Sequence, residues 1–86
     1  MPRIAEFYGI AIYMYFSDHA PPHFHAIYGG YDAEIEIATG DILKGSLPAR
    51  ARRLVREWTE RYRDELAQNW ELAREHQDLR PIPPLE

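Results

Sequence analysis

The stretch His23-Phe24-His25-Ala26-Ile27-Tyr28-Gly29-Gly30-Tyr31-Asp32-Ala33-Glu34-Ile35-Glu36-Ile37 decides the fold of this 86-residue chain. Gly29-Gly30 signals a two-residue hairpin, because primed turns need positive φ angles that glycine adopts without steric cost. Beyond it, Ala33, Ile35 and Ile37 alternate with Asp32, Glu34 and Glu36, the period of a half-buried strand. With so short a loop Tyr28 faces Tyr31, and the register counts outward from that pair. Phe24 then opposes Ile35 and Ala26 opposes Ala33 on one face. On the other, His25 opposes Glu34, His23 opposes Glu36 and Ile27 opposes Asp32.

Upstream, Phe7 to Phe16 is almost continuously apolar and reads as one strand buried on both faces, with Gly9 as a bulge or bend. Asp18-His19-Ala20-Pro21-Pro22 ends it, since prolines are excluded from central strands. Downstream, Thr39-Gly40-Asp41 makes a turn and Ile42-Leu43 a short strand. Ser46 is a candidate N-cap and Pro48 suits a first helical turn. From there to about His76 no Gly or Pro intervenes, and Ala51, Leu54, Val55, Trp58, Tyr62, Leu66 and Ala73 share one helical face. Asn69 interrupts that face, so a bend is expected there. The prediction is an α+β protein in ββββα order: a three- to four-stranded antiparallel meander packed against one long C-terminal helix. A single domain covers residues 1–80, and the proline-rich tail 81–86 is expected to be loosely held.

The absence of cysteine excludes disulfides and thiolate metal sites. The start lacks the apolar stretch of a secretory signal, and the longest apolar run, Ile10 to Phe16, is too short to span a membrane. The expectation is therefore a cytoplasmic protein without membrane contact. Net charge is −4, but its distribution is uneven. Every formal charge between Ser17 and Asp41 is negative, whereas arginine dominates from Lys44 to Arg63.

Directly opposed side chains have Cβ atoms only about 4.5–5.5 Å apart, so the His–Glu pairs should touch. His19, just before the prolines, can fold back towards them. Three readings compete for this patch. The plainest is a set of surface histidines hydrogen-bonded to carboxylates. The second is a divalent metal site, zinc or nickel, with ligands from His19, His23, His25, Glu34 and Glu36, since alternate strand positions face the same way. The third is acid–base chemistry, such as phosphodiester cleavage by a histidine pair in a small RNA-binding protein or nuclease. No phosphate-cradling glycine loop or nucleophile elbow accompanies it, so the expectation points away from an enzyme and assigns no catalytic residue.

On a helical wheel Arg52, Arg56, Arg63 and Trp70 follow one border of the apolar face. Basic groups with an aromatic suit a nucleic-acid backbone or an acidic partner. Arginine stems also cover apolar edges on many amphipathic helices, and the acidic total disfavours nucleic acid.

The segments Asp18-His19-Ala20-Pro21-Pro22-His23-Phe24-His25, Tyr28-Gly29-Gly30-Tyr31, Gly45-Ser46-Leu47-Pro48 and Asn69-Trp70-Glu71-Leu72 together resemble the domain-of-unknown-function family forty-one-sixty. The resemblance runs from Ile4 to about Ala73 and includes every residue of the His-x-Pro-Pro-His-Phe-His motif. It implies a small cytoplasmic prokaryotic protein without an assigned activity. It also implies a gene that often neighbours one for another short uncharacterised domain, family twenty-four-forty-two, an order similar to toxin–antitoxin pairs. The leading functional expectation is accordingly a small interaction module, held by a partner protein or by self-association.

Overall fold

The computed structural model describes residues 3–86. Five strands, β1 (Arg3–Phe7), β2 (Ile10–Tyr13), β3 (His23–Tyr28), β4 (Tyr31–Glu36) and β5 (Ile42–Gly45), precede two helices, α1 (Ala49–Arg61) and α2 (Arg63–Arg74). The strands form one antiparallel sheet in the order β1-β2-β3-β4-β5, the meander expected when sequential strands pair. The β3–β4 register is the one that Gly29-Gly30 dictates, from Tyr28↔Tyr31 out to His23↔Glu36.

The ββββα expectation is corrected in two places. The first apolar run is two strands rather than one. Tyr8 and Gly9 both take positive φ, 50° and 79°, and make a two-residue turn that pairs Phe7 with Ile10. Positive φ at both central residues matches the twist of flanking strands, but tyrosine seldom occupies that position, so the turn is masked in an apolar run. β2 is also half-buried: Ile10 and Ile12 are buried, while Ala11 and Tyr13 are only partly covered.

Second, the long helix is broken at Tyr62, which has φ −115° and ψ 29°. No glycine or proline causes the break. One turn earlier the Thr59 hydroxyl donates to the Val55 carbonyl at 2.7 Å, a back-bond that bends helices. Just past it, Arg63 Nε donates to the Ile37 carbonyl at 2.9 Å and ties the start of α2 to the end of β4. Asn69, expected to mark the bend, lies inside α2. α1 starts at Ala49 with no side-chain cap, so Ser46 does not serve as N-cap.

One face of the sheet carries the core. Trp58 of α1 is fully buried, with its ring 5.2 Å from Phe7 and 5.6 Å from Phe24. The tail, expected to be loose, completes this core. Ile82 and Leu85 are buried. Trp58 Nε1 donates to the Pro83 carbonyl at 2.9 Å, and Ile82 N–H donates to the Ile4 carbonyl at 2.8 Å. The buried Asn69 amide clamps Arg80 from both sides: Nδ2 donates to its carbonyl at 2.8 Å, and its N–H donates to Oδ1 at 2.9 Å. β5 has its own constraint. Gly45 has φ 84°, and a Cβ there would lie 2.1 Å from the Asp32 carbonyl oxygen, so only glycine lets β5 approach β4 this closely.

Because each lost hydrogen bond of the Asn69 clamp leaves a polar group to be resolvated, Asn69→Ala should lower stability by about 1–3 kcal/mol. Urea unfolding measures the loss, and limited proteolysis should cut the variant within residues 80–86 well before the rest of the chain.

Candidate metal centre

The segment 14–22 between β2 and β3 carries Met14 into the core and then returns along the start of β3. Ser17 anchors its outer part: its N–H donates to the Ala73 carbonyl at 3.3 Å, and its hydroxyl hydrogen-bonds His76 Nε2. His76 has φ 56° and closes α2, with its N–H on the Ala73 carbonyl and that of Gln77 on the Leu72 carbonyl. This anchorage places Asp18 over the histidines of β3.

His23 is 1% exposed, the one buried imidazole of the described residues. Its ring lies 5.3 Å from that of Trp70. His23 Nδ1 sits 2.7 Å from the Pro21 carbonyl oxygen, which can only accept, so Nδ1 carries the proton. In the neutral ring, Nε2 is then a lone pair. It lies 2.9 Å from Asp18 Oδ2, an ion pair only when the ring is protonated, and it makes no hydrogen bond. A buried imidazole is thus held by one nitrogen while the other points unsatisfied into an acidic cluster.

His25 Nε2 contacts the same Asp18 oxygen at 3.3 Å, and its ring packs edge-on against Tyr15 with centroids 4.4 Å apart. One ligand atom from each of Asp18, His23 and His25 lies within 4.8 Å of the other two. Zinc–ligand bonds of 2.0–2.1 Å place tetrahedral ligands about 3.3–3.4 Å apart. The Asp18 contacts to His23 and His25, at 2.9 and 3.3 Å, are already near that spacing. The cluster could hold a metal ion.

Of the residues that the sequence assigns to a metal site, His23 and His25 are brought together, and the other three stand apart. His19 Nδ1 lies 3.1 Å from the other Asp18 oxygen on a side chain that is 81% exposed. Glu34 Oε1 approaches His23 Nε2 only to 3.7 Å. Glu36, although opposite His23 in register, accepts from the Thr39 hydroxyl at 2.9 Å and serves the β4–β5 turn. Asp18, the third member of the cluster, was not among the residues singled out from the sequence. The signal available was an acidic residue opening the same proline-broken motif that supplies both histidines.

The arginine border is also redrawn. Arg52 and Arg56 are exposed on α1, but Arg63 is committed to the Ile37 carbonyl and Trp70 is buried against His23. A wheel drawn through one continuous helix loses its phase at Tyr62, so Trp70 faces inward.

Burial pushes the Asp18 carboxyl upward, but the hydrogen bond from His25, the His19 backbone N–H and the nearby His23 and His25 charges outweigh it, and the net shift is downward. For Tyr15, burial first and then the Asp32, Tyr13 and Asp18 charges all raise the phenol. A carboxyl lowered on folding stabilises the native state above its unfolded pKa, and this contribution fades as pH falls through the folded value. In metal-free buffer Asp18→Asn should therefore be less stable than the parent at neutral pH. The difference should shrink below the ordinary carboxylate range, about pH 4, when denaturation midpoints are compared across pH.

No helix among the described residues is long and apolar enough to cross a membrane. No curated protein and no solved structure matches the chain. A family model does match residues 9–71, which span the whole Asp18–His23–His25 cluster. The chain therefore belongs to the family described as domain of unknown function DUF4160.

Proposed function

We propose that this protein binds a divalent transition metal through Asp18, His23 and His25, with zinc the ion that best suits the donor set and nickel the next. The observation that carries this reading is His23. Its buried ring donates Nδ1–H to the Pro21 carbonyl and leaves Nε2 unpartnered beside the Asp18 carboxylate. Metal-ligating histidines characteristically use their second nitrogen in this way, which fixes tautomer and ring orientation. An unsatisfied buried acceptor costs about 1–3 kcal/mol, and coordination removes that cost. Two imidazoles and one carboxylate form a ligand set known for zinc, and three protein ligands leave a coordination position open.

Native mass spectrometry of untagged protein with added zinc tests the reading. The expected result is one zinc per chain, absent from both Asp18→Asn and His25→Ala. Those positions are only partly buried, so both variants should keep the fold, whereas replacing the buried His23 would disturb it. Zinc at about a hundred times its Kd should also stabilise the parent by about 2.7 kcal/mol and leave both variants unmoved. Failure to retain zinc, or equal retention by the variants, would overturn the proposal.

A further inference from the structure

The β4–β5 turn and the first turns of α1 enclose a cleft of about 440 Å³, lined by Gly40, Asp41, Ile42, Arg52, Arg53 and Arg56. It shares no residue with the Asp18–His23–His25 cluster. Its volume lies in the range of small-molecule sites, about 300–1,000 Å³. Three arginines and one aspartate line the cleft; Arg56 is shared between Asp41 and Glu60, which leaves Arg52 and Arg53 as two positive charges without an ion pair among the described residues. Arg56 pairs with Asp41 at 3.1 Å, both side chains being more than half exposed. Such a pair contributes little to stability, so Arg56 can turn to a ligand at small cost. Among the described residues Arg52 and Arg53 form no ion pair.

These arginines are poorly explained as stabilising elements. Arg52 and Arg53 sit in the opening turns of α1, which contains no acidic residue in its first turn and no side-chain cap. Positive charge at that end opposes the helix dipole and weakens the helix. Gly40, with φ 77°, lies against Arg56: a Cβ there would meet Arg56 Cγ at 3.4 Å, in van der Waals contact. Ile42 supplies an apolar wall beside the charges.

We infer that this cleft binds the phosphate group of a small phosphomonoester. The dianion matches the two positive charges of Arg52 and Arg53, and guanidinium forks pair with phosphate oxygens through paired, charge-assisted hydrogen bonds. Ile42 bounds the space left for the organic part. Being separate from the metal cluster, the site stands or falls independently of the metal reading.

The test titrates ¹⁵N-labelled protein with phenyl phosphate and, separately, with inorganic phosphate, following amide shifts. Saturable shifts at Gly40, Asp41, Ile42 and the start of α1 are expected, with phenyl phosphate binding more tightly than inorganic phosphate. Arg52→Gln and Arg53→Gln should each weaken binding about tenfold or more, whereas Arg74→Gln, on α2 and paired with Glu71, should not. All three residues are exposed, so the variants should keep the parent spectrum away from the mutated side chain. Shifts that do not saturate, or affinity unchanged in both cleft variants, would overturn the inference. A single-stranded oligonucleotide that binds more tightly than phenyl phosphate, with a salt dependence of several phosphates, would overturn it in favour of a nucleic-acid face.

Discussion

Burial of one indole, Trp58, is the constraint on which the remaining architecture depends. A sheet with a single apolar face must be covered, and a tryptophan covers more of it than any other side chain. Trp58 reaches Phe7 on β1 and Phe24 on β3 at once, so the helix cannot slide without losing one of them. Its N–H must also find an acceptor once buried, and the Pro83 carbonyl supplies it. The last residues of the chain are therefore part of the core, held by this bond together with the Asn69 clamp and the burial of Ile82 and Leu85.

The candidate metal centre shows the same accounting with one atom left over. Among the described residues three polar side chains are buried: Thr59, Asn69 and His23. Thr59 returns its proton to the helix backbone, and Asn69 exchanges two hydrogen bonds with Arg80. Only His23 keeps an unpaired atom, and it does so where a half-buried carboxylate and a second imidazole converge. Natural proteins rarely leave such a group without a partner, so the exception carries more weight than the mere nearness of three titratable groups.

Much of the sheet was legible in the sequence because its information is local. Gly29-Gly30 sets a turn, the turn sets the register, and alternation of Ala33, Ile35 and Ile37 with acids selects the face towards the helices. What escaped is set by distant contacts. Nothing local marks Tyr8 for a positive φ, and the break at Tyr62 depends in part on Arg63 reaching the distant Ile37 carbonyl. Asn69 was recognised as out of place, yet its purpose depends on Arg80, eleven residues away, folding back beside it. His23 and His25 stood out because strand periodicity places them together. Asp18 did not, because its position depends on a proline-broken segment anchored by Ser17 to the end of α2. Of the residues that the sequence offered for a metal site, the Asp18 cluster includes His23 and His25 and leaves out His19, Glu34 and Glu36.

The docked tail has a consequence for how copies of this chain meet. An open sheet has two edges, and each offers backbone donors and acceptors to a neighbouring molecule. Along β1 the tail comes between, and Ile82 spends its own N–H on the Ile4 carbonyl. In an extended run the outward-facing donors belong to the residues on either side, here Pro81 and Pro83, and neither has an N–H. The covering segment therefore occupies part of the β1 edge, with two prolines beside its one bonded residue. The two edges of the sheet are thus unequal: β1 is partly covered by a segment poor in donors, and β5 is four residues long.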